Sequence, residues 1–192
     1  MIEPLRKFGL SHGEAFGLHK FADWQTAFDG LNAPGVRNYW KSHYLADLDD
    51  AAITAILDYA QRLPSPHCEI FIPHMEGAVR NVSALETAYP HRGAPFVLNI
   101  HARWESAEEN EACMAWARGL FDATRGSSTG GVYVNFLSDE GEARVRAAYP
   151  GGTFERLARI KCQYDPDNFF RLNQNIRPSV QPHEAATAGA PV

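Results

Sequence analysis

His101 is the side chain in this sequence best placed to move a proton. It lies in Phe96–Trp104 (FVLNIHARW), whose alternation predicts a strand. One face carries Phe96, Leu98, Ile100, Ala102 and Trp104; the other carries Val97, Asn99, His101 and Arg103. The apolar face is expected to pack, and the polar face to meet solvent or a cleft. An imidazole titrates near neutrality and suits general-base work. A solvent-facing strand histidine is the plainer alternative. His74, on a neighbouring predicted strand, is a second candidate. Tyr39, Lys41 and His43 of a third could line the same face. Tyr39, Lys41, His74, Asn99 and Arg103 are accordingly read as substrate-pocket residues.

A second concentration of polar chemistry lies near the C-terminus. Asn168, Asn173, Gln174 and Asn175 can each donate and accept hydrogen bonds. Such amides either brace loops after a helix stop or reach a ligand, and a mixture of both is expected. Other chemistries find little support. The eight histidines match no metal-ligand spacing, and there is no H-E-x-x-H, so no metal is expected. Cys68, Cys113 and Cys162 form no C-x-x-C pair. Cys162 sits late in a predicted helix and reads as a core residue. No G-x-S-x-G elbow marks a serine hydrolase.

These side chains need elements to hold them. Val36–Tyr44 is aromatic-rich and partly alternating, and predicts a strand. Asp49 caps a helix over Asp50–Arg62, with Ile53, Ile56, Leu57 and Ala60 as its apolar stripe, and Pro64 and Pro66 follow its end. His67–Met75 predicts a second strand, in which Pro73 implies an edge or a bulge. After Phe96–Trp104, Ser106 caps a helix over Ala107–Thr124 with the stripe Ala112, Ala115, Trp116, Gly119 and Leu120. Val132–Leu137 predicts a short strand, and helices follow over Asp139–Ala148 and from Thr153 to about Tyr164, where Asp165-Pro166 stops the last one. Near the N-terminus, ADWQTAFDGL predicts a short helix ending at Gly30. The order and short loops fit an α+β fold, an antiparallel sheet with helices packed on one face.

Composition bounds the rest. A chain of 192 residues buries roughly 70% of its unfolded surface, enough for a core without staples. Eighteen basic against 23 acidic residues leave a net charge of −5, which disfavours nucleic acid as a partner. No run of 18 apolar residues predicts a membrane span, and the first residues lack the apolar stretch of a signal peptide. Three well-separated cysteines suggest a reducing compartment, so the cytoplasm is expected. Residues 1–178 read as one domain, and 179–192, rich in Pro and Ala, as a disordered tail.

The segment Gly130–Pro178 resembles the C-terminal segment of berberine bridge enzyme-like flavin oxidases. Three motifs carry the resemblance: a Y-x-N strand (Tyr133, Asn135), an F-x-R-L-x-x-x-K stretch (Phe154, Arg156, Leu157, Lys161), and D-P-x-N-x-F-x-x-N-Q-N-I (Asp165 to Ile176). Upstream, RNYWKSHYL, the EGA turn near Gly77 and YPHRGAPFVLNIHARW resemble that family's substrate domain, so the likeness runs from about Pro4 to Pro178. The resemblance implies part of a vanillyl-alcohol-oxidase-like flavoenzyme that oxidises an alcohol, sugar or similar small molecule by hydride transfer to FAD. It places Tyr133 and Asn135 beside the flavin, Tyr133 within the catalytic centre, and Asn173 and Asn175 near the cofactor. The family often carries a Tyr base after that Asn. Phe136 stands there and cannot accept a proton, which leaves His101 as the replacement and Phe136 as a pocket wall. No glycine-rich pyrophosphate loop is recognisable. The resemblance therefore implies a partner, an FAD-binding domain in the same or a separate chain, and weak FAD binding by these residues alone. The alternative expectation is a non-catalytic binding or interaction module, or a relic fragment lacking the flavin domain.

Overall fold

Strand alternation and proline placement build a three-stranded sheet whose centre is Phe96–Trp104. The structure, a computed structural model, describes residues 3–7, 9, 17–27, 29–32, 34–137 and 140–179. The expected tail lies outside these residues apart from Ser179. Residues 1–35 and 36–192 form two separate units. In the first, α1 (Glu3–Arg6) and α2 (Phe21–Thr26) are short, and α2 has no buried residue. The helix expected to run to Gly30 ends at Thr26, and a separate 3-10 turn covers Asp29–Asn32.

The second unit holds the sheet. β1 (Arg37–Leu45) pairs antiparallel with β3 (Phe96–Trp104) along all nine residues, and β2 (Glu69–Phe71) pairs antiparallel with the other edge of β3. β2 is shorter than the expected His67–Met75 because Pro73 has no N–H to give the ladder. Beyond it the chain stays beside β3 through irregular contacts: Val97 N–H donates to Pro73 O (3.2 Å), Met75 N–H donates to Pro95 O (2.6 Å), and His74 bridges Phe96.

One face of the sheet is covered by α3 (Asp50–Ala60) and α4 (Asn110–Ala123). The Asp49 carboxylate caps α3 by accepting from Ala52 N–H at 2.7 Å, and Ser106 with Glu109 forms a capping box ahead of α4. Residues 107–109 make a 3-10 turn, so α4 starts three residues later than expected. Both helices sit about one residue round from their predicted stripes. Ala52, Ala55, Ile56 and Tyr59 face the core in α3, while Ile53 and Leu57 are 40% and 56% exposed. In α4 the inward set is Cys113, Trp116, Ala117 and Leu120, whereas Ala112 and Ala115 are exposed. Where apolar residues run most of the way round a helix, periodicity fixes the spacing and packing fixes the phase. The small residues lie inward because the helices approach closely: a Cβ on Gly119 would collide with the Tyr59 hydroxyl.

Val132–Leu137 is not a strand. Tyr133 is extended, and Val134–Phe136 forms a 3-10 turn closed by Phe136 N–H to Tyr133 O (2.9 Å) and Leu137 N–H to Val134 O (3.3 Å). The free edge of β1 is bonded instead by Thr129, whose N–H donates to Tyr44 O at 2.8 Å. The segment thus satisfies its backbone locally and lays its rings over the second sheet face. α5 (Glu142–Ala148) and α6 (Thr153–Tyr164) follow; α6 has its expected bounds, and Asp139, the expected start of α5, lies outside the described residues. Cys68 and Cys113 are buried and Cys162 is half-buried, all as free thiols.

Candidate functional site

The side of β3 read as polar is not open. Val97, Asn99, His101 and Arg103 are each no more than 8% exposed. β3 is the central strand, and segments after β2 and after α4 cover this face. Pairing then decides which neighbours His101 meets. Trp40 and Glu69 stand directly opposite it on the two flanking strands, and Ser42 and Phe71 stand opposite Asn99.

Two rows of side chains result. In one, the Trp40 ring stacks on the His101 ring at 4.4 Å, and His101 Nδ1 lies 2.6 Å from Glu69 Oε1. In the next, the Asn99 amide Nδ2 reaches His101 Nε2. The pattern fits a neutral imidazole that donates from Nδ1 to the carboxylate and accepts at Nε2 from the amide. Burial lowers the His101 pKa from its ordinary value, and the Glu69 carboxylate opposes that in part. Among the described residues Asn99 Oδ1 and Ser42 Oγ, both buried, have no hydrogen-bond partner. Rotating the Asn99 amide would offer Oδ1 to Nε2, so one side chain can serve both the free and the protonated imidazole.

Phe136 closes the group from above, edge-on to His101 and to Trp40 at 6.0 Å each and to Tyr133 at 4.9 Å. Tyr133 meets Tyr89 edge-on at 5.9 Å and accepts at its hydroxyl from Asn135 Nδ2 (2.8 Å). Tyr89 and Tyr133 form a wall between two clefts. One, about 250 Å³, is bounded by Pro73, Met75, Val79, Val97 and Phe136. The other, about 300 Å³, includes Tyr44, His91, Asn135 and Tyr149. Tyr44 is buried beneath His91, which stacks on it at 4.5 Å, and burial pushes the Tyr44 phenol far above its ordinary pKa. His91 in turn packs against Gly131, where any Cβ would clash with the imidazole.

Other residues expected at the site lie elsewhere. Strand pairing puts Tyr39, Lys41 and His43 opposite Ala102, Ile100 and Leu98, on the helix-covered face and not beside His101. The alternation of RNYWKSHY supports either phase, and only the register with β3 chooses. There Tyr39 accepts from Arg118 Nε (3.2 Å), Lys41 pairs with Glu140 (2.6 Å), and His43 stacks on Phe121. His74 is exposed and stacks on Phe96, whose side chain belongs to the other face. Arg103 shares the His101 face but lies six residues from Val97, roughly 20 Å along the strand. The sequence reading missed Glu69, Trp40, Ser42 and Tyr89. A signal existed for Glu69, a lone carboxylate within an apolar strand.

The C-terminal amides divide between bracing and reaching. Asn168 and Asn173 take positive φ values of 53° and 59°, a role Asn tolerates. Asp165 accepts from Phe169 and Phe170 N–H (2.7 and 3.0 Å) and pairs with Lys161, fixing the turn. Gln174 Nε2 donates to Leu137 O at 3.0 Å and so ties this loop to the Tyr133–Asn135 segment. Asn173 is exposed, and Asn175 Oδ1 is buried with no partner among the described residues.

The fold, a small open antiparallel sheet with helices packed on one face, is that of part of a class of larger solved oxidases. It superposes on a glycopeptide hexose oxidase complexed with teicoplanin (TM-score 0.65, 22% identity, 75% of this chain and 33% of that one) and on a berberine bridge enzyme variant (TM-score 0.66, 20% identity, 76% and 34%). Within that class the chain resembles the berberine bridge enzyme-like FAD-linked oxidoreductases. Residues 132–177 match the family model described as berberine and berberine like. The chain is 29% identical over 183 residues to an uncharacterized FAD-linked oxidoreductase of Bacillus subtilis, YgaK, covering 93% of this chain and 40% of the relative. It is 31% identical over 126 residues to tetrahydroberberine oxidase of Berberis wilsoniae, covering 57% and 24%. The chain thus spans at most about two fifths of the length of these relatives.

FAD is the cofactor of FAD-linked relatives, and the residues present fit only part of it. Asn135, beside the Tyr133 ring, offers hydrogen bonds of the kind a flavin ring edge needs, whereas the orphaned Asn175 carbonyl belongs to a separate cleft with Asn173, Gln174 and Arg177. Among the described residues no glycine-rich strand–loop–helix offers a cradle for the pyrophosphate. Nor do the described residues contain a group of three His, Cys, Asp or Glu side chains able to hold a metal, or a helix long and apolar enough to cross a membrane.

Proposed function

We propose that this chain is the substrate-facing portion of an FAD-dependent oxidoreductase acting on an alcohol, a sugar or a similar small molecule. The observation that carries the reading is the Glu69–His101–Asn99 group, buried at His101 and Asn99, on the sheet face that the family-matched segment covers. FAD, when bound, supplies the two-electron acceptor for a hydride from carbon; Tyr133 and Asn135 are the residues that would face it, and most of its binding falls to a further portion of protein, in the same or a separate chain. With the Phe136 ring turned aside from its resting place against the imidazole, His101 accepts the hydroxyl proton at Nε2, so that C–H and O–H bonds break, a C=O bond forms and the proton stays on the imidazole. Glu69 holds Nδ1–H and stabilises the resulting imidazolium. Asn99 turns its carbonyl oxygen to the new N–H. Trp40 and Phe136 keep water from the ring.

The test uses a complex of the chain with the FAD-binding portion sought in the flanking DNA and co-expressed. His101→Ala is expected to slow flavin reduction by about 10²–10⁴-fold. An unchanged rate removes His101 from the chemistry. A second reading, a binding module without catalysis, draws on the replacement of a family tyrosine by Phe136 and on the exposure of Phe169, Phe170 and Leu172. Failure of any flavin-loaded complex to form would favour it.

A further inference from the structure

The cleft next to the His101 group states a preference about what enters it. Its boundary is made by Pro73, Met75, Val79, Val97 and the rings of Tyr89, Tyr133 and Phe136. Val97 is the one apolar member of an otherwise polar strand face, and it lies where that face opens into the cleft. Phe136 is shared: one edge meets His101 and the ring also bounds the cleft. A molecule lodged there is separated from the imidazole by a single aromatic ring.

Polar anchors are few. The lining holds no carboxylate, no amide side chain and no cation, and its side-chain hydroxyls are those of Tyr89 and Tyr133. The Tyr133 oxygen already accepts from Asn135, which leaves its proton free to donate. A sugar ring would bring several hydroxyls, most of which would lose water without gaining a partner. A flat apolar ring loses little on entry and gains dispersion against Val97, Met75 and Phe136. Size agrees: a cavity of about 150 Å³ suffices for benzene, and this cleft offers about 250 Å³.

We propose that the cleft binds an aromatic ring bearing few hydroxyls, such as an aryl alcohol, in preference to a polyhydroxylated sugar. This rests on the reading of the chain as substrate-facing but is tested without flavin or turnover. The full chain, carrying ¹³C-methyl labels, is titrated with benzyl alcohol and separately with glucose, and the Met75, Val79 and Val97 methyl resonances are followed. Benzyl alcohol is expected to give saturable shifts at these methyls, and glucose at equal concentration none. Val79→Asp, at a 37% exposed rim position that spares the fold, is expected to weaken benzyl alcohol binding about tenfold while leaving the His101 ring resonances in place. Equal or stronger shifts with glucose, or no saturable shift with benzyl alcohol, would overturn the proposal. Loss of rate in His101→Ala with no aromatic binding would sink this inference alone; aromatic binding with an unchanged rate would sink the role of His101 alone.

Discussion

The two faces of one three-stranded sheet are built to different rules. Under α3 and α4, Leu98, Ile100, Ala102 and Trp104 meet Cys113, Trp116, Ala117 and Leu120 in a dry apolar layer. The indole N–H groups at that layer are satisfied, Trp104 by Asn110 (2.7 Å) and Trp116 by Tyr59 O (3.1 Å). On the opposite face the same strands bury Ser42, Asn99, His101 and Arg103, and two of the polar atoms have no partner among the described residues. Burying unpaired polar groups costs stability. A sheet that needed only to fold would place apolar side chains on both sides. The contrast agrees with the proposed role of the loop-covered face: stability is concentrated under the helices, and unpaired buried polar groups gather where the chemistry is proposed.

The contrast can be broken first at its strongest point. Leu120 is fully buried in the helix layer, and Leu120→Ala is expected to cost about 2–5 kcal/mol in chemical denaturation. A loss under about 1 kcal/mol would show that this layer is not where the fold is held. Next comes pH. Burial lowers the pKa of His43 on the helix face and of His91 and His101 on the other. The folded chain therefore binds fewer protons than the unfolded chain just below pH 6.5, so stability is full above about that pH and falls as acid is added. Melting at pH 7.5 and 5.5 checks the sign; an equal or higher Tm at pH 5.5 would contradict it. A smaller effect is expected at Asp49, where Asp49→Ala removes the α3 cap and should lower the denaturation midpoint by less than Leu120→Ala does; an unchanged midpoint would show that the cap is idle. The smallest sharpens the contrast. Ser42→Ala deletes an unpartnered buried hydroxyl and should leave stability unchanged or raise it by up to about 1 kcal/mol. A clear loss would reveal a partner for Ser42 Oγ.

Much of this organisation is written in local sequence. Phe96–Trp104 and Thr153–Tyr164 have the bounds their patterns predict, because alternation and a following Asp-Pro are strong local signals. Asp49 and Ser106 cap as expected because capping needs only neighbours within three residues. Val132–Leu137 reads as a strand from its β-branched and aromatic content, yet that content cannot say whether another edge is free to pair with it; Thr129 occupies the edge of β1.

The site follows the same division. The residue types were legible: a histidine on a strand, an amide two residues before it, and a phenylalanine where the family resemblance implies a tyrosine. Their company was not. Whether His101 faces Lys41 or Trp40 turns on a one-residue register between strands nearly 60 positions apart in the chain, and the paired strands bring Trp40 and Glu69 to it. The sequence by itself determined the long central strand, the main helices with their caps and the family likeness, since each depends on short-range pattern. Tertiary structure decided the phase of α3 and α4, the burial of the His101 face and the identity of its carboxylate partner, because register and helix rotation are settled only when whole surfaces pack against one another.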